Sequence, residues 1–362
     1  MPPGTLPDVT GRRANVCGLG LIGGSLATAL RTRGWHVTGD DVHSGRPEQA
    51  RELGLVDACG MDPLAEITFV ATPVLAVGDT VKRALAETAG VVTDVGSVKA
   101  SIVAAVDDPR FLGGHPMAGS ELEGLGGADP AMFEGAVWVL TPTARTADTT
   151  FSFVAGVASE LGADVVALDP QRHDRVVAVV SHVPHLTAAT LMGLATERSE
   201  EHAALLRLAA GGFRDMTRIA SGSPAIWLDI CAENREAIVG ALADLIDGLT
   251  TMKSLVAGDD RLGLEQRLQR AREARTNLPT RFRVLADVAE VRIPIADRPG
   301  AAAEVFTLAA ELGVDIANFE VVHSAEGTRG VMVVLVDIRS ADVFRGGLVA
   351  RGYRPAVTRL DQ

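Results

Sequence analysis

Residues 14–25, ANVCGLGLIGGS, constrain the fold of this chain more than any other stretch. A short β-rich run enters the glycines Gly18, Gly20 and Gly23 and leaves as the helix-forming LIGGSLATALRTRG, which Gly34 closes. A G-x-G-x-x-G spacing alone is a weak signal, because glycine-rich turns are common. Here a strand precedes it and a helix follows, the context in which such a loop holds a dinucleotide rather than serving as a bare βαβ turn. Gly18 permits the tight turn, Gly20 lets backbone amides approach a pyrophosphate, and Gly23 lets the helix lie close on the strand. Leu19, Leu21 and Ile22 complete the turn and count with the glycines as cofactor contacts. The next β-rich run, HVTGDD, ends at Asp41, where an acid bonds a ribose 2′-hydroxyl and repels the 2′-phosphate of NADP. No arginine follows before Arg46, so the predicted cofactor is NAD. VATPV (70–74) sets Thr72 and Pro73 at the end of a further strand, either as a plain terminator or as a loop over the nicotinamide.

Alternation fixes the class around that loop. ANVCG, HVTGD, ITFVAT, VVTDV, FLGGH, AVWVLTP and DVVALD read as strands bounded by Gly, Pro or Asp, with helices between them. They predict a doubly wound, Rossmann-like α/β domain with a parallel sheet over residues 12–169. From 170 to 283 β-rich runs almost vanish, and HDRVVAVVSHVPHLTAATLMGLATER and ENREAIVGALADLIDGLTTMKSLV have helical spacing. Their apolar stripes are too extended for one protomer to cover, which predicts an all-helical domain shared in a homodimer. Over 288–362 strand, helix, strand, strand, helix and strand follow one another, the order of a ferredoxin-like α+β unit.

Composition removes several classes of partner. A net charge of −12 over 362 residues argues against a nucleic-acid or anionic-membrane binder. Cys17, Cys59 and Cys231 are too few and too scattered for a disulfide framework or a cysteine metal site. No apolar run is expected to reach the length of a membrane span, and the opening MPPGTLPDVTGRR, without the apolar core of a signal peptide, reads as a disordered lead-in to a cytoplasmic protein.

Four stretches concentrate unusual polar residues. TDVGSVK (93–99) brings Ser97 and Lys99 to the carboxyl edge of the sheet, where open α/β sheets bind ligands; Ser97 alternatively caps a helix starting near Lys99. GGHPMAGSE (113–121) delivers His115 to the same edge, between glycines and a proline that read as an exposed, rigid turn. SHVPHL (181–186) sets His182 and His185 at or near a helix start, as core residues, a metal pair or ligand contacts. No Glu accompanies them as in zinc helices, so no metal is expected. GGFRDMTRIASGSPAIW (211–227) puts Arg214 and Arg218 on one helical face, to bind a carboxylate or to pair with Asp215 or Glu233. A neutral His takes a hydroxyl proton while an oxidised nicotinamide takes hydride from the same carbon, and paired Arg side chains grip carboxylates. Together these residues predict oxidation of a small organic acid.

In order, GLGLIGGSLA, TDVGSVK, GGHPMAGSE, SHVPHLTA and GGFRDMTRIA resemble the prephenate dehydrogenase family over nearly the whole chain. The resemblance implies NAD-dependent oxidative decarboxylation of prephenate to 4-hydroxyphenylpyruvate, the tyrosine precursor, by a nucleotide-binding domain followed by a helical dimerisation domain. Motif by motif, it implies His115 as the base on the ring 4-hydroxyl, Ser97 as the residue orienting that pair, His185 as a substrate-site histidine and Arg218 as the carboxylate anchor. Arg214 becomes a second cationic contact, and Ser120 and Glu121 join the substrate site. Hydride is to leave C4 as the ring carboxylate departs as CO2. The C-terminal IADRPGAAAEVFTLAAELGVDIANFEVV resembles an ACT domain, which implies an amino-acid effector, tyrosine by feedback, at Asp297, Arg298, Pro299, Gly300 and Asn318, or a role in assembly alone. Arogenate is the alternative substrate, with Glu121 as an acid for its amine. A β-hydroxyacid dehydrogenase would need a lysine base that no motif supplies, and a non-enzymatic NAD-dependent sensor would need no base.

Overall fold

The computed structural model describes residues 11–119, 122–199, 208–276, 288–296, 298, 300–323 and 329–359. The chain divides into two compact units, residues 1–247 and 248–362. The lead-in expected at the N-terminus lies, for residues 1–10, outside the described residues.

The first unit opens with β1 (Arg13–Cys17), α1 (Leu21–Thr32), β2 (His36–Asp40), α2 (Arg46–Glu52), β3 (Ala58–Cys59), β4 (Ile67–Val70) and α3 (Val74–Glu87). It continues through β5 (Val91–Asp94), α4 (Ala100–Ala104), β6 (Phe111–Pro116), β7 (Val137–Thr141), α5 (Asp148–Glu160) and β8 (Asp164–Ala167). These strands form one sheet of order β3-β2-β1-β4-β5-β6-β7-β8. The first six are parallel in doubly wound order, and the reversal between β1 and β4 opens a crevice at their carboxyl ends. The expectation of a wholly parallel sheet fails at β7, which runs antiparallel to β6 and carries β8 parallel to itself. The cause is the connection: between β6 and β7 the only helical element among the described residues is the 3-10 turn Leu125–Gly127, too little for a parallel crossover. The two-residue edge strand β3 is too short to leave a period in the sequence.

Central strands buried on both faces read as continuous apolar runs, and all four residues of β4, ITFV, are buried. One face packs Leu26, Leu30, Val37, Phe69, Trp138 and Leu140 into a core; the other packs Val70, Val77, Val81 and Phe111 with Ile230 and Ile238 of the helical segment. That segment comprises α6 (Pro170–Val177), a π-helical turn (Ala178–His182), α7 (Val183–Ser199), α8 (Gly211–Thr217), α9 (Pro224–Glu233) and α10 (Arg235–Ala257), which runs on past the unit division.

The stretch α6–π–α7 is one continuous helix, so SHVPHL lies mid-helix and not at a helix start. Pro184 has no N–H to return to the preceding turn, and the wider π turn just before it absorbs the missing bond. By length and composition this helix is long and apolar enough to cross a membrane, against the expectation that no apolar run reaches that length. It buries His173, Asp174 and His182 within the fold and Ala178 in the core, and leaves its remaining face exposed. Val179 and Val180 of the π turn, Ile226 and Leu228 of α9, and Val239 and Ile246 of α10 are exposed.

The second unit holds α11 (Arg261–Thr276), β9 (Val288–Ala296), α12 (Ala301–Glu311), β10 (Ile316–His323), β11 (Arg329–Asp337), α13 (Ile338–Ala350) and β12 (Ala356–Arg359). Its antiparallel sheet of order β10-β11-β9-β12 is the split βαβ arrangement. Alternate residues Val291, Ile293, Met332 and Val334 pack against Val305, Leu308, Phe344 and Leu348 of the two helices.

Candidate active site

At the β1–α1 turn Gly18 adopts φ +94°, and a Cβ there would meet the Ala71 carbonyl oxygen at 2.5 Å. A Cβ at Gly23 would lie 1.8 Å from the Gly18 carbonyl oxygen, whereas at Gly20 it would meet nothing within 4 Å. Close packing therefore demands two of the glycines, and the third leaves open space at the start of α1, whose N-cap Gly20 provides no side-chain cap. The Leu19 N–H donates to Asp41 Oδ2 at 2.8 Å. Burial raises the Asp41 carboxyl, but the N–H bonds from Leu19 and His43 outweigh it and hold it below its usual value. Thr72 Oγ1, at the end of β4, is buried with no hydrogen-bond partner among the described residues, and Pro73 stands at the N-cap of α3. Free helix amides, open space above Gly20 and an unpartnered hydroxyl fit a dinucleotide.

His115 is not on an exposed turn. β6 continues through Pro116 to pair with β7, and His115, opposite Val139, is only 9% exposed. Its Nδ1 lies 2.8 Å from His173 Nε2, and His173 Nδ1 lies 2.8 Å from Asp174 Oδ1. The Asp174 carboxylate also accepts the N–H groups of Lys99 at 2.8 Å and Ala100 at 2.9 Å. A carboxylate surrounded by three N–H donors only accepts, so His173 carries its proton on Nδ1. His173 Nε2 then accepts from His115 Nδ1–H, and His115 Nε2 is left as an acceptor; these tautomers follow from the network. Burial above all, then the charges of His173, Lys99 and His182, push the His115 imidazole well below its ordinary 6.5.

The same carboxylate explains Ser97. α4 starts at Ala100 with Lys99 as N-cap and no side-chain cap of its own, so Asp174 does the capping predicted for Ser97. Ser97 is half-buried in the β5–α4 loop, and among the described residues the partner of His115 is His173. Asp94, fully buried, binds the loop to the strand of the base: it accepts the Gly96 N–H at 2.9 Å and the Gly114 N–H at 3.2 Å, and pairs with Lys99 Nζ. Burial lowers the Lys99 ammonium below its usual value, and Asp94 opposes that.

The long helix adds the rest. Asn234 Nδ2 donates to the Asp174 carbonyl at 2.8 Å and to His182 Nδ1 at 3.2 Å. Burial pushes His182 down to about 4, with Asp174 opposing and His173 adding to the fall. His185 stacks on Trp227 with centroids 3.6 Å apart, and Trp227 also meets His182 edge-on at 6.0 Å. Burial lowers His185, and a bond to the Ile219 backbone opposes it. The 3-10 turn Arg218–Ser221 packs on α7, so Arg218 adjoins the backbone that holds His185; Arg218 and Arg214 of α8 are both exposed.

His173, Asp174, Trp227 and Asn234 escaped the sequence reading. The HisAsp doublet of QRHDRV was the available signal, but helical arithmetic concealed it. At about 100° per residue, His173 and His185 stand about 120° apart on a regular helix. The π turn absorbs one residue and closes that angle to about 20°. Ser120, Glu121, Asp297 and Pro299 lie outside the described residues. In the second unit Arg298 grips both Glu304 carboxylate oxygens at 2.7 and 2.9 Å, Gly300 (φ +86°) is the N-cap of α12, and Asn318 falls at an irregularity of β10 opposite Leu335.

A doubly wound sheet with a dinucleotide cradle at its switch point and a proton-accepting imidazole at the same edge defines a nicotinamide-dependent dehydrogenase. Residues 26–167 match the nucleotide-binding domain of prephenate dehydrogenase, and residues 169–270 match its dimerization domain. The chain belongs to the prephenate dehydrogenase family. Prephenate dehydrogenase of Bacillus subtilis (strain 168) is 31% identical over 334 residues, 88% of this chain and 90% of its own. The structure of prephenate dehydrogenase from A. aeolicus in complex with hydroxyphenyl propionate and NAD+ is similar with a TM-score of 0.70 at 29% identity, covering 75% of this chain and 100% of that one. Synechocystis arogenate dehydrogenase gives a TM-score of 0.64 at 32% identity over 74% of this chain and 100% of that one.

Proposed function

We propose that the protein oxidises and decarboxylates prephenate to 4-hydroxyphenylpyruvate with NAD+ as acceptor, in tyrosine biosynthesis. The observation that carries this is the His115–His173–Asp174 chain, which among the described residues leaves His115 Nε2 to accept a proton at the carboxyl edge of the sheet. NAD+, when bound, supplies the hydride acceptor, and Gly18–Gly23, Asp41, Thr72 and Pro73 are the residues to hold it. His115 Nε2 takes the proton of the ring 4-hydroxyl as the C4 hydride leaves. The imidazolium so formed keeps its Nδ1–H on His173, whose own Nδ1–H rests on the Asp174 carboxylate. The ring carboxylate departs as CO2, its bonding pair completes the aromatic ring, and the oxygen recovers its proton from His115. Aromatisation drives the reaction, so alignment and a base are what the chain must provide.

Ser97 orients the hydroxyl, Arg218 and Arg214 bind carboxylate, and His185, fixed between Trp227 and Ile219, contacts the substrate with Ser120 and Glu121. Domains of 12–169, 170–283 and 288–362 are supported by the two matched segments and the separate C-terminal sheet. A homodimer is supported by the name of the second matched domain and by the exposed Val179, Val180, Ile226 and Leu228. The C-terminal sheet order, and Gly300 as the N-cap of α12, support an ACT-like module that responds to tyrosine. Three free cysteines suit a cytoplasmic location. Arogenate is the second reading, favoured by the likeness to the Synechocystis enzyme. The test is to supply prephenate or arogenate with NAD+ or NADP+, follow the absorbance of the reduced cofactor, and then add tyrosine. Absence of turnover with both substrates overturns the dehydrogenase; rates indifferent to tyrosine overturn the regulatory role alone.

A further inference from the structure

The sequence places Arg46 too far along to matter for the ribose, but the fold returns it to Asp41. The Asp41 side chain is 4% exposed and its carboxylate already has four donors. On Oδ2 are the Leu19 N–H at 2.8 Å and Arg46 Nη1 at 3.4 Å; on Oδ1 are the His43 N–H at 2.8 Å and His43 Nδ1 at 3.0 Å. A carboxylate has about four lone-pair sites, so these donors fill it. The two backbone donors are fixed by the chain. The His43 and Arg46 side chains, 66% and 37% exposed, form the outer cover. A ribose hydroxyl therefore reaches Asp41 only by displacing one of them, and the displaced group stays within reach of the 2′ position.

We propose that Asp41, His43 and Arg46 act as one cofactor-selecting device, in which Asp41 engages the two side chains and its replacement by a neutral residue frees them as a receptor for the 2′-phosphate of NADP+. This rests on the dinucleotide reading of the β1–α1 turn. Arg supplies the planar fork that matches phosphate, and His43 adds a donor from the other side. Selectivity for NAD+ thus rests on a single negative charge facing latent phosphate ligands, and not on an absence of cations.

The test is calorimetric binding of NAD+, NADP+ and 2′,5′-ADP to the full chain and its variants. Asp41→Asn is expected to bind NADP+ and 2′,5′-ADP on the order of tenfold more tightly than the parent, and NAD+ more weakly. Adding Arg46→Ala and His43→Ala to it is expected to abolish the gain. A variant D41N with no gain, or a gain that survives the triple substitution, overturns the proposal. Arg46→Ala in the parent guards against misfolding of D41N: it should raise the NAD+/NADP+ affinity ratio at least about threefold, and an unchanged ratio also overturns the proposal. A parent that binds no NAD+ overturns the dinucleotide reading and this inference with it, whereas normal NAD+ binding with an unmoved ratio overturns this inference alone.

Discussion

Asp174→Asn separates the charge at the end of the His115–His173–Asp174 chain from its geometry. In the native carboxylate Oδ1 accepts from Lys99 N–H and His173 Nδ1–H, each at 2.8 Å, and Oδ2 accepts from Ala100 N–H at 2.9 Å. An asparagine offers one oxygen and one NH2 group. With the oxygen in the place of Oδ1, two of the three bonds survive and the NH2 faces the Ala100 N–H, at a cost of about 1–3 kcal/mol. The reverse orientation sets the NH2 against both Lys99 N–H and His173 Nδ1–H, so the first is preferred. His173 then keeps its proton on Nδ1 and His115 its accepting Nε2. What the variant loses is the negative charge that steadies the imidazolium formed when the hydroxyl proton arrives. A hydrogen bond to a charged group is worth about 1–2 kcal/mol more than a neutral one, so turnover is expected to fall about 5–30-fold.

Initial rates from acid to alkaline pH, an NAD+ titration and a thermal melt form the assay. NAD+ affinity should hold, because Asp174 touches no part of the glycine turn, and the melt should show a protein folded at the assay temperature. The defect lies in the charge behind the imidazolium and not in protonation of the free base, so raising the pH should not restore the rate. A variant within about twofold of the parent, or one rescued at high pH, would refute the charge argument and leave Asp174 only a cap of α4.

The depressed His115 predicts that kcat/KM loses its acid limb below the ordinary histidine value of 6.5, because the base stays unprotonated there; a limb at or above 6.5 contradicts the burial argument. For stability, His182 stands at about 4 when folded against 6.5 in the open chain, so its contribution is complete above about 6.5 and is lost as pH falls towards 4. That loss is roughly 3 kcal/mol, and urea unfolding should show a flatter pH dependence in His182→Gln than in the parent. Lys99→Met strands the buried Asp94 carboxylate and should cost about 3–5 kcal/mol by urea unfolding; a loss under about 1 kcal/mol would mean that the pair is not a desolvated ion pair. Gly23→Ala drives a methyl to 1.8 Å from the Gly18 oxygen and should lower the melting temperature, whereas Gly20→Ala meets no protein atom and should leave it unchanged while weakening NAD+ on the order of tenfold.

Local signals were readable wherever a residue's role depends on its chain neighbours. The seven strand runs between Ala14 and Asp169 all form strands, because β-rich segments bounded by Gly, Pro or Asp carry their own limits. The C-terminal strand–helix order was legible for the same reason. What escaped depends on the absence of an element or on one extra residue. Parallel pairing of β7 fails because no helix crosses over from β6 among the described residues, and missing helices leave no motif. His115 looked exposed because its glycines and proline are turn residues, yet Gly113 and Gly114 are there for space: a Cβ at Gly114 would stand 2.7 Å from the Asp94 carbonyl oxygen. Asp94 therefore lies tight beneath the strand that carries the base.

The π turn carries that reasoning one step further. Without it, His173 and His185 would diverge, and one helix would meet either His115 or Trp227, not both. With it, a single rigid helix delivers His173 and Asp174 to His115 and α4, and turns His182 and His185 towards Trp227 and Asn234. The base comes from the sheet and its orienting pair from the helical segment, so neither alone has a histidine of defined tautomer. Docking of that segment on the sheet thus fixes the tautomer of His115 through the same helix that carries His185 to Trp227.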